Sequence, residues 1–412
     1  MVKAKTIRGD RLHIAFFGRR NVGKSSLINA LTKQQVSIVS EVPGTTTDPV
    51  FKSMELAPVG PVVIVDTAGM DDLFNDLGGE RIKRSERILS KTDIGIIVID
   101  SSGKAGEFEE RLIKLLEKNN SSVIIVLNKT DAGISENVSQ WVENKDVIKV
   151  SAKELKGIED IKTRIIEIAP PEWEPPFLND LVKKGETVLL VIPIDTGAPK
   201  GRLIMPQVKA LRDALDGHAV ALMCKESELE QALGALKKPP ALVVIDSQVF
   251  ALVAAKIPES VLLTSFSILS IRQKGDLNEM VNGVLAVKEL KPGDRILIAE
   301  SCSHHPLEDD IGRIKIPKWL NEFAGGDLII DTVPGCEYPD DISNYSLVVH
   351  CGACTLNRKE MLRRQSIPAQ AEVPMTNYGV LISYLHGVFP RALKPFPEIY
   401  SLFGKYTDNS DK

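Results

Sequence analysis

No run of 18 apolar residues occurs anywhere in this 412-residue chain, so no membrane-spanning helix and no membrane partner are expected. The opening segment Met1–Asp10 is polar and basic, and it runs into the short apolar stretch His13–Phe17. No hydrophobic region of signal-peptide length is present there. Cysteine is scarce and odd in number: Cys224, Cys302, Cys336, Cys351 and Cys354. In a chain this long, that pattern argues against a disulfide framework and for a cytoplasmic setting. The net charge is -4 and no segment stands out as basic, so no nucleic-acid partner is expected. Internal repeats and low-complexity segments are also missing.

What remains is the composition of an ordinary globular protein, 43% hydrophobic and 26% charged, able to bury sizeable cores without covalent staples. Its length predicts two or three domains. Apolar, β-rich segments alternate with helical patterns in the first part: Ile14–Phe17, Val62–Val65, Ile94–Ile99 and Val123–Leu127. This alternation predicts βαβ units and a mostly parallel sheet, an α/β fold. The stretch Ala169–Phe177 reads APPEWEPPF, and four prolines in nine residues fit neither a helix nor a central strand. Boundaries are therefore expected at 1–170 for the first domain, 171–180 for the linker, 181–272 for a small second α/β domain and 273–412 for a third. In the second, Val188–Ile192, Ala219–Met223, Ala241–Ile245 and Val261–Leu263 read as strands, with Gln207–Leu215 and Glu226–Leu236 as helices. In the third, Arg295–Ala299, Leu328–Ile330 and Leu347–Val349 read as strands after a helix at Leu277. The tail after Phe403 is polar and is expected to fray.

The strand Ile14–Phe17 runs into Gly18-Arg19-Arg20-Asn21-Val22-Gly23-Lys24-Ser25, and Ser26–Leu31 continues as a helix. This is a complete phosphate-binding loop. Its glycines let backbone N–H groups wrap the phosphates, Lys24 reaches the β/γ-phosphates, and the Ser25 hydroxyl binds Mg²⁺. Asp66-Thr67-Ala68-Gly69 follows the strand Val62–Val65. Asp66 is expected to hold Mg²⁺ through water, and the Gly69 N–H to face the γ-phosphate. Asn128-Lys129-Thr130-Asp131 follows Val123–Leu127. Guanine alone offers the donor pair N1–H and N2–H₂ that Asp131 accepts. Asn128 fixes the loop, and the Lys129 stem covers the base. Ser151-Ala152-Lys153 supplies backbone N–H to the guanine O6. Between the first two motifs lies Pro43-Gly44-Thr45-Thr46-Thr47-Asp48, where Thr46 is the favoured second Mg²⁺ ligand, with Thr45 and Thr47 as neighbours in competition. Four motifs, each at the C-terminal end of an expected strand, predict a GTP site and GTP hydrolysis.

These motifs (GRRNVGKSSLINAL, PGTTTD, DTAG, NKTD and SAK, over about Arg11–Ala169) make the first domain resemble the Era/TrmE-like class of GTPases. The resemblance implies a K⁺ ion beside the phosphates, marked by Asn21, that stands in for an arginine finger. Met70 occupies the place where some GTPases carry a water-orienting glutamine, which predicts weak intrinsic hydrolysis.

A second constellation lies near the C-terminus. Glu300-Ser301-Cys302-Ser303-His304-His305 follows one expected strand, and His350-Cys351-Gly352-Ala353-Cys354 follows another. Two thiolates three positions apart can hold one metal centre from a single turn, with Gly352 read as the residue that lets the backbone close around the sulfurs. Three thiolates with nearby histidines fit either a structural zinc or an iron–sulfur cluster. Cys336 reads as an ordinary loop residue and Cys224 as core. His13 and His218 read as strand-edge or loop residues, and His386 as a helix residue outside the site.

With this motif pair behind the GTPase motifs, the whole chain resembles the maturation GTPases of iron-only (FeFe) hydrogenase, the HydF family. The resemblance implies a P-loop GTPase domain, a small α/β dimerisation domain and a C-terminal α/β cluster domain. It implies a 4Fe-4S cluster on Cys302, Cys351 and Cys354 with one exchangeable iron position. His304 and Asp309 are candidate ligands there, and His305, Glu308 and His350 lie close in sequence. It further implies a homodimer, and a scaffold that receives a di-iron precursor from radical-SAM maturases and passes it to apo FeFe-hydrogenase. The alternatives are a tRNA-modification or ribosome-assembly GTPase with a structural zinc domain, and a redox enzyme whose cluster does chemistry.

Overall fold

The computed structural model describes residues 11–32, 50–67, 88–169, 175–194, 203–301, 310–335, 338–354 and 356–408. The chain divides into two compact units, Met1–Trp173 and Glu174–Lys412.

The first unit runs β1 (Leu12–Phe17), α1 (Lys24–Thr32), β2 (Val50–Leu56), β3 (Gly60–Asp66), β4 (Ile94–Asp100), α2 (Glu107–Lys118), β5 (Ser122–Asn128), α3 (Glu136–Val142), β6 (Val147–Lys149) and α4 (Ile158–Ile168). Its sheet has the order β2-β3-β1-β4-β5-β6, parallel except for β2. All six residues of β1 are buried, as expected of a central strand covered on both faces. Leu27, Ile28 and Leu31 of α1 and Ile161 and Ile165 of α4 cover one face. Leu112 and Leu116 of α2 and Val138 of α3 cover the other. The antiparallel edge strand β2 was not expected. Its sequence VFKSMEL alternates exposed and covered positions, the mark of an edge strand with one wet face. His13 is a correction: it lies inside β1, buried between β3 and β4, and its N–H donates to the Asp93 carboxylate (2.8 Å).

The second unit holds two parallel four-stranded sheets. The first is built from β7 (Thr187–Val191), α5 (Met205–Asp216), β8 (Val220–Cys224), α6 (Leu229–Gly234), β9 (Leu242–Ile245), α7 (Phe250–Ala254), β10 (Leu262–Ser265) and α8 (Phe266–Lys274), with strand order β10-β9-β7-β8. The second comprises α9 (Leu277–Leu285), β11 (Arg295–Glu300), α10 (Ile316–Ala324), β12 (Ile329–Pro334), β13 (Leu347–His350), α11 (Arg358–Gln370), β14 (Met375–Asn377), α12 (Tyr378–Leu385), α13 (Phe389–Leu393) and α14 (Pro397–Asp408), with order β12-β11-β13-β14. One continuous apolar core joins the sheets, from Val188 and Leu189 through Leu269 to Val348 and Val349. Helix α8 is buried nearly all round, which is how a helix behaves inside a core rather than on a surface. Arg391 of α13 reaches back and donates to the carbonyls of Ala254 (2.6 Å) and Ile257 (2.7 Å).

Two further expectations need correction. Cys224 ends the edge strand β8 half-exposed rather than in the core, and burial pushes its thiol up to about 11. The tail does not fray at Phe403, because α14 continues to Asp408. His218 does sit in a loop, with the left-handed backbone of a turn, and His386 caps α12 with its ring edge-on to Trp319.

Helix α9 lies so close to β14 that a Cβ added at Gly283 would stand 1.8 Å from the Met375 carbonyl oxygen. Gly283→Ala is therefore expected to destabilise the second unit by about 1–3 kcal/mol. Chemical denaturation of the full chain reads this, and an unchanged midpoint would contradict the packing described.

Candidate functional site

The nucleotide site forms where β1, β3, β4 and β5 end on one edge of the first sheet. After Phe17 the backbone turns through Gly18 and Asn21, both at positive φ, and through Gly23 (φ 94°) into α1. A Cβ on Gly23 would lie 2.3 Å from the Asn128 amide nitrogen, so only glycine allows this approach. Lys24 folds over the loop and donates to the carbonyls of Gly18 (2.6 Å) and Arg19 (2.8 Å). Val22 is buried against the core, while Ser26 is exposed on the first turn of α1.

Ser25 Oγ donates to Asp66 Oδ2 at 2.6 Å, and the buried Asp66 Oδ1 has no hydrogen-bond partner among the described residues. A hydroxyl and a half-satisfied buried carboxylate at one point fit a hard divalent cation such as Mg²⁺. Thr46 and Gly69, the other residues expected at the phosphates, lie outside the described residues, as does Met70.

Asn128 joins three loops. Its Nδ2 donates to the Val22 carbonyl (2.9 Å), and its Oδ1 accepts from the Ala152 N–H (3.1 Å). Lys129, at left-handed φ, donates to the Asn21 carbonyl (2.7 Å) and to Asp100 Oδ2 (2.6 Å). Asp131 accepts from Ser151 Oγ (2.6 Å), and that bond, with the charge of the exposed Lys153 nearby, holds its carboxyl below the ordinary range. An ionised Asp131 is the form that accepts from guanine.

Sequence reasoning missed Asp100 and Glu109. Burial opposes the Asp100 charge, but hydrogen bonds from Lys129 and Ser102 outweigh it and keep the carboxyl low. Glu109 is buried, takes both arms of Arg19 (2.8 and 3.2 Å) and caps α2 through the Gly106 N–H. Together with Arg19, Asn21, Asp100 and Lys129 they line a cleft of about 220 Å³. Neither lies in a recognised motif, although Asp100 ends an apolar strand, a position that signals a site.

The second constellation lies at the ends of β11 and β13. These strands are parallel neighbours with Ala299 opposite His350, and the Cys351 N–H donates to the Ala299 carbonyl (3.0 Å). Ser301 therefore meets Cys351: its N–H donates to the sulfur at 3.2 Å, and its hydroxyl is 3.0 Å away. Cys351 and Cys354 lie half-buried on one turn. The left-handed residue of that turn is Ala353 (φ 53°), not Gly352, which corrects the expectation. Backbone strain on a non-glycine residue marks a segment held in place by its surroundings. The buried Lys274 of α8 is part of those surroundings and donates to the Ala353 (3.4 Å) and Cys354 (3.2 Å) carbonyls.

His350 is fully buried and both ring nitrogens are engaged. Arg364 Nε lies 2.8 Å from Nε2, and Nδ1 lies 2.8 Å from the Cys351 carbonyl. A guanidinium only donates, so Nε2 accepts and the ring proton sits on Nδ1. Burial first, then the Arg364 charge, push this imidazole down to about 3. His350 is thus removed from the candidate ligands: it holds the cysteine loop instead. Cys302, His304, His305, Glu308, Asp309 and Cys336 lie outside the described residues. Among the described residues no group of three or more His, Cys, Asp or Glu side chains could hold a metal ion. Two soft thiols on one turn, beside the strand end that leads to Cys302, still fit a thiolate-bound centre.

Around them stand groups that sequence reasoning did not select. Glu300 is buried and takes Arg313 (3.0 Å) from the π-helical turn Ile311–Lys315, a distortion often found at functional sites. Tyr378 has a buried hydroxyl without a partner among the described residues, and burial, then the nearby Cys351 charge, raise its pKa far above the usual phenol value.

The guanine contact generates a prediction. Asp131→Asn is expected to weaken GTP binding roughly 10–100-fold, the loss of a charged hydrogen bond of about 1.5–3 kcal/mol, while xanthine nucleotides bind better. An amide can donate to the oxygen at C2 of xanthine. Equal titrations of GTP for the variant and the natural chain would contradict the assignment.

Comparison with known proteins matches residues 13–129 to the 50S ribosome-binding GTPase domain, 177–275 to the hydrogen maturase F dimerization domain and 278–395 to the hydrogen maturase F tetramerization domain. The tRNA modification GTPase MnmE of Lactococcus lactis subsp. lactis is 31% identical over 223 residues, 53% of this chain and 44% of that protein. MnmE of Alkaliphilus oremlandii is 34% identical over 167 residues, 40% and 35% of the two chains. The chain thus spans less than half the length of these curated relatives. Among solved structures, the G domain of the T. maritima FeoB iron transporter is 25% identical, with a TM-score of 0.31, covering 39% of this chain and 99% of that one. The two hydrogen maturase F domains together account for more than half of the chain, in order behind a GTPase domain, and the chain belongs to the hydrogen maturase F family of maturation GTPases.

Proposed function

We propose that this chain is a GTP-hydrolysing scaffold that assembles the di-iron subcluster precursor and transfers it to apo FeFe-hydrogenase, using a 4Fe-4S cluster held by Cys302, Cys351 and Cys354. The observation that carries the reading is the pairing of β11 with β13 inside a hydrogen maturase F domain. It sets Cys351 and Cys354 beside the strand end that leads to Cys302. A cluster held by three thiolates keeps one iron open to another ligand. This chain's residues supply the thiolates, the Ser301 donors to Cys351 and the Arg364–His350 brace on the loop. With His350 occupied, His304 and Asp309 are the proposed exchangeable ligands. Radical-SAM maturases are the proposed source of the precursor, and the cytoplasm, where thiols stay reduced, the proposed setting. Among the described residues no helix is long and apolar enough to cross a membrane.

In the first unit, Lys24 and the loop N–H groups neutralise and orient the phosphates, Ser25 and Asp66 hold Mg²⁺, with Thr46 as its proposed third protein contact, and Asp131 with Asn128 selects guanine. When bound there, Mg²⁺ would stabilise the charge that develops on the phosphates. Asn21 is exposed, and its side-chain amide makes no hydrogen bond to another described residue, which suits a K⁺ ligand.

Assembly is proposed to go through the sheet edges. The edge strand β8 exposes Val220 and Met223 beside Leu215 of α5, and in the other sheet β12 exposes Ile329. Apolar edges are templates for a second copy. A homodimer through the β8 edge, extended through the β12 edge in keeping with the tetramerization match, follows. A purified chain that sediments as a monomer at micromolar concentration would remove this part.

Each of Cys302→Ala, Cys351→Ala and Cys354→Ala is expected to lower the iron content of anaerobically purified protein and to block hydrogenase maturation, with GTP turnover retained. Stoichiometric zinc and no iron would overturn the scaffold reading in favour of a GTPase with a structural zinc domain. Replacing K⁺ by Na⁺ at constant ionic strength is expected to slow GTP turnover, and Asn21→Ala to erase the difference. A natural chain indifferent to the cation would leave Asn21 a plain loop residue.

A further inference from the structure

Arg364 is the largest fully buried side chain among the described residues, and its partners are unusual for a charged group. Nε donates to His350 Nε2 (2.8 Å) and one terminal nitrogen donates to the Gly335 carbonyl (3.1 Å). The guanidinium lies over the Tyr338 ring, 4.6 Å from its centre. The other terminal nitrogen is buried with no acceptor among the described residues. Among the described residues no carboxylate bonds to it: Glu360, buried on the same helix, is held by Arg363 (3.0 and 2.9 Å). A buried guanidinium is costly unless negative charge lies near it; among the described residues the buried Glu360, one turn away, is shared with Arg363, so a further negative group close to Arg364 would be stabilised.

The position of that group follows from the connections. Arg364 fixes His350, whose Nδ1–H holds the Cys351 carbonyl. Lys274, a second buried cation, donates to the Ala353 and Cys354 carbonyls from α8. The two therefore grip the cysteine turn at its beginning and its end. Lys274 lies in the matched dimerization domain, and the turn in the matched tetramerization domain. A thiolate-bound iron–sulfur centre carries net negative charge that grows on one-electron reduction, and its potential follows the charges and hydrogen bonds around it.

We infer that Arg364 is a built-in counter-cation and positioning residue for the centre on Cys351 and Cys354: it balances the thiolate charge from the buried side and, through His350, holds the cysteine turn in its strained form. This rests on the cluster reading above. The role belongs to a residue that lies outside both cysteine motifs, on a different helix.

The test uses the full chain, reconstituted anaerobically with iron and sulfide, comparing the natural protein with Arg364→Gln and Arg364→Lys. The readouts are the midpoint potential from an EPR-monitored redox titration and the rate of iron loss to a chelator. Arg364→Gln, neutral and still able to donate to His350, is expected to shift the potential to a more negative value and to release iron several-fold faster. Arg364→Lys, which keeps the charge but not the planar fork, is expected to hold a potential between the two while also releasing iron faster. A Gln variant that matches the natural chain in both readouts overturns the inference and leaves the cluster reading standing. A natural chain that takes up no iron ends both. If the Gln variant does not fold, the Lys variant decides, and natural iron-release kinetics there overturn the proposal.

Discussion

Parallel pairing brings the C-terminal ends of neighbouring strands to a single sheet edge, and both chemistry-bearing sites of this chain follow from that constraint. In the first sheet β1, β3, β4 and β5 deliver the phosphate loop, Asp66, Asp100 and Asn128 to one edge. In the last sheet the pairing of Ala299 with His350 delivers Ser301 to Cys351. Strand ends leave backbone N–H and C=O groups without ladder partners, and these groups then serve the site. The Ala152 N–H fixes Asn128, and the Cys351 carbonyl fixes His350.

The two sites solve the problem of charge differently. In the nucleotide site two cations meet carboxylates, Lys129 with Asp100 and Arg19 with the buried Glu109, while the buried Lys24 bonds to the Gly18 and Arg19 carbonyls. Pairs of that kind keep their form whether or not a ligand is bound. In the second unit two buried cations reach the cysteine turn: Arg364 donates to the His350 imidazole, and Lys274 to the Ala353 and Cys354 carbonyls. A negative ligand at the turn would offset the cost of burying a guanidinium there. The strain at Ala353 points the same way. The continuous core that joins the second and third sheets lets α8 carry Lys274 to a turn that belongs to the next domain.

The nucleotide site was legible because its chemistry is local. Eight consecutive residues make the phosphate loop, and four make the base-reading loop, so spacing along the chain is nearly spacing in space. Buried parallel strands announced themselves as unbroken apolar runs. The antiparallel edge strand β2 did not, because half its side chains face water and its apolar positions are diluted by Lys52, Ser53 and Glu55. His13 was misread for the opposite reason: a polar residue in an apolar strand looks like an end, yet it is buried against Asp93 from another segment. The turn between Cys351 and Cys354 was assigned to its glycine, while the packing around the Ala353 and Cys354 carbonyls places the left-handed residue at Ala353.

The sequence by itself determined the α/β class, most of the buried parallel strands, the guanine-nucleotide motifs and the two cysteine groups, because each of these is a pattern over a few neighbouring residues. Only the tertiary structure decided that His350 is a brace rather than a ligand, that Asp100 and Glu109 belong to the nucleotide cleft, and that Arg364 and Lys274 reach the cysteine turn. These pairs are separated along the chain by 14 residues for Arg364 and His350, 29 for Lys129 and Asp100, 80 for Lys274 and Cys354, and 90 for Arg19 and Glu109. No periodicity or spacing rule reaches across such intervals. The contacts exist because helices packed on a shared core present one face to whatever strand ends lie beneath them.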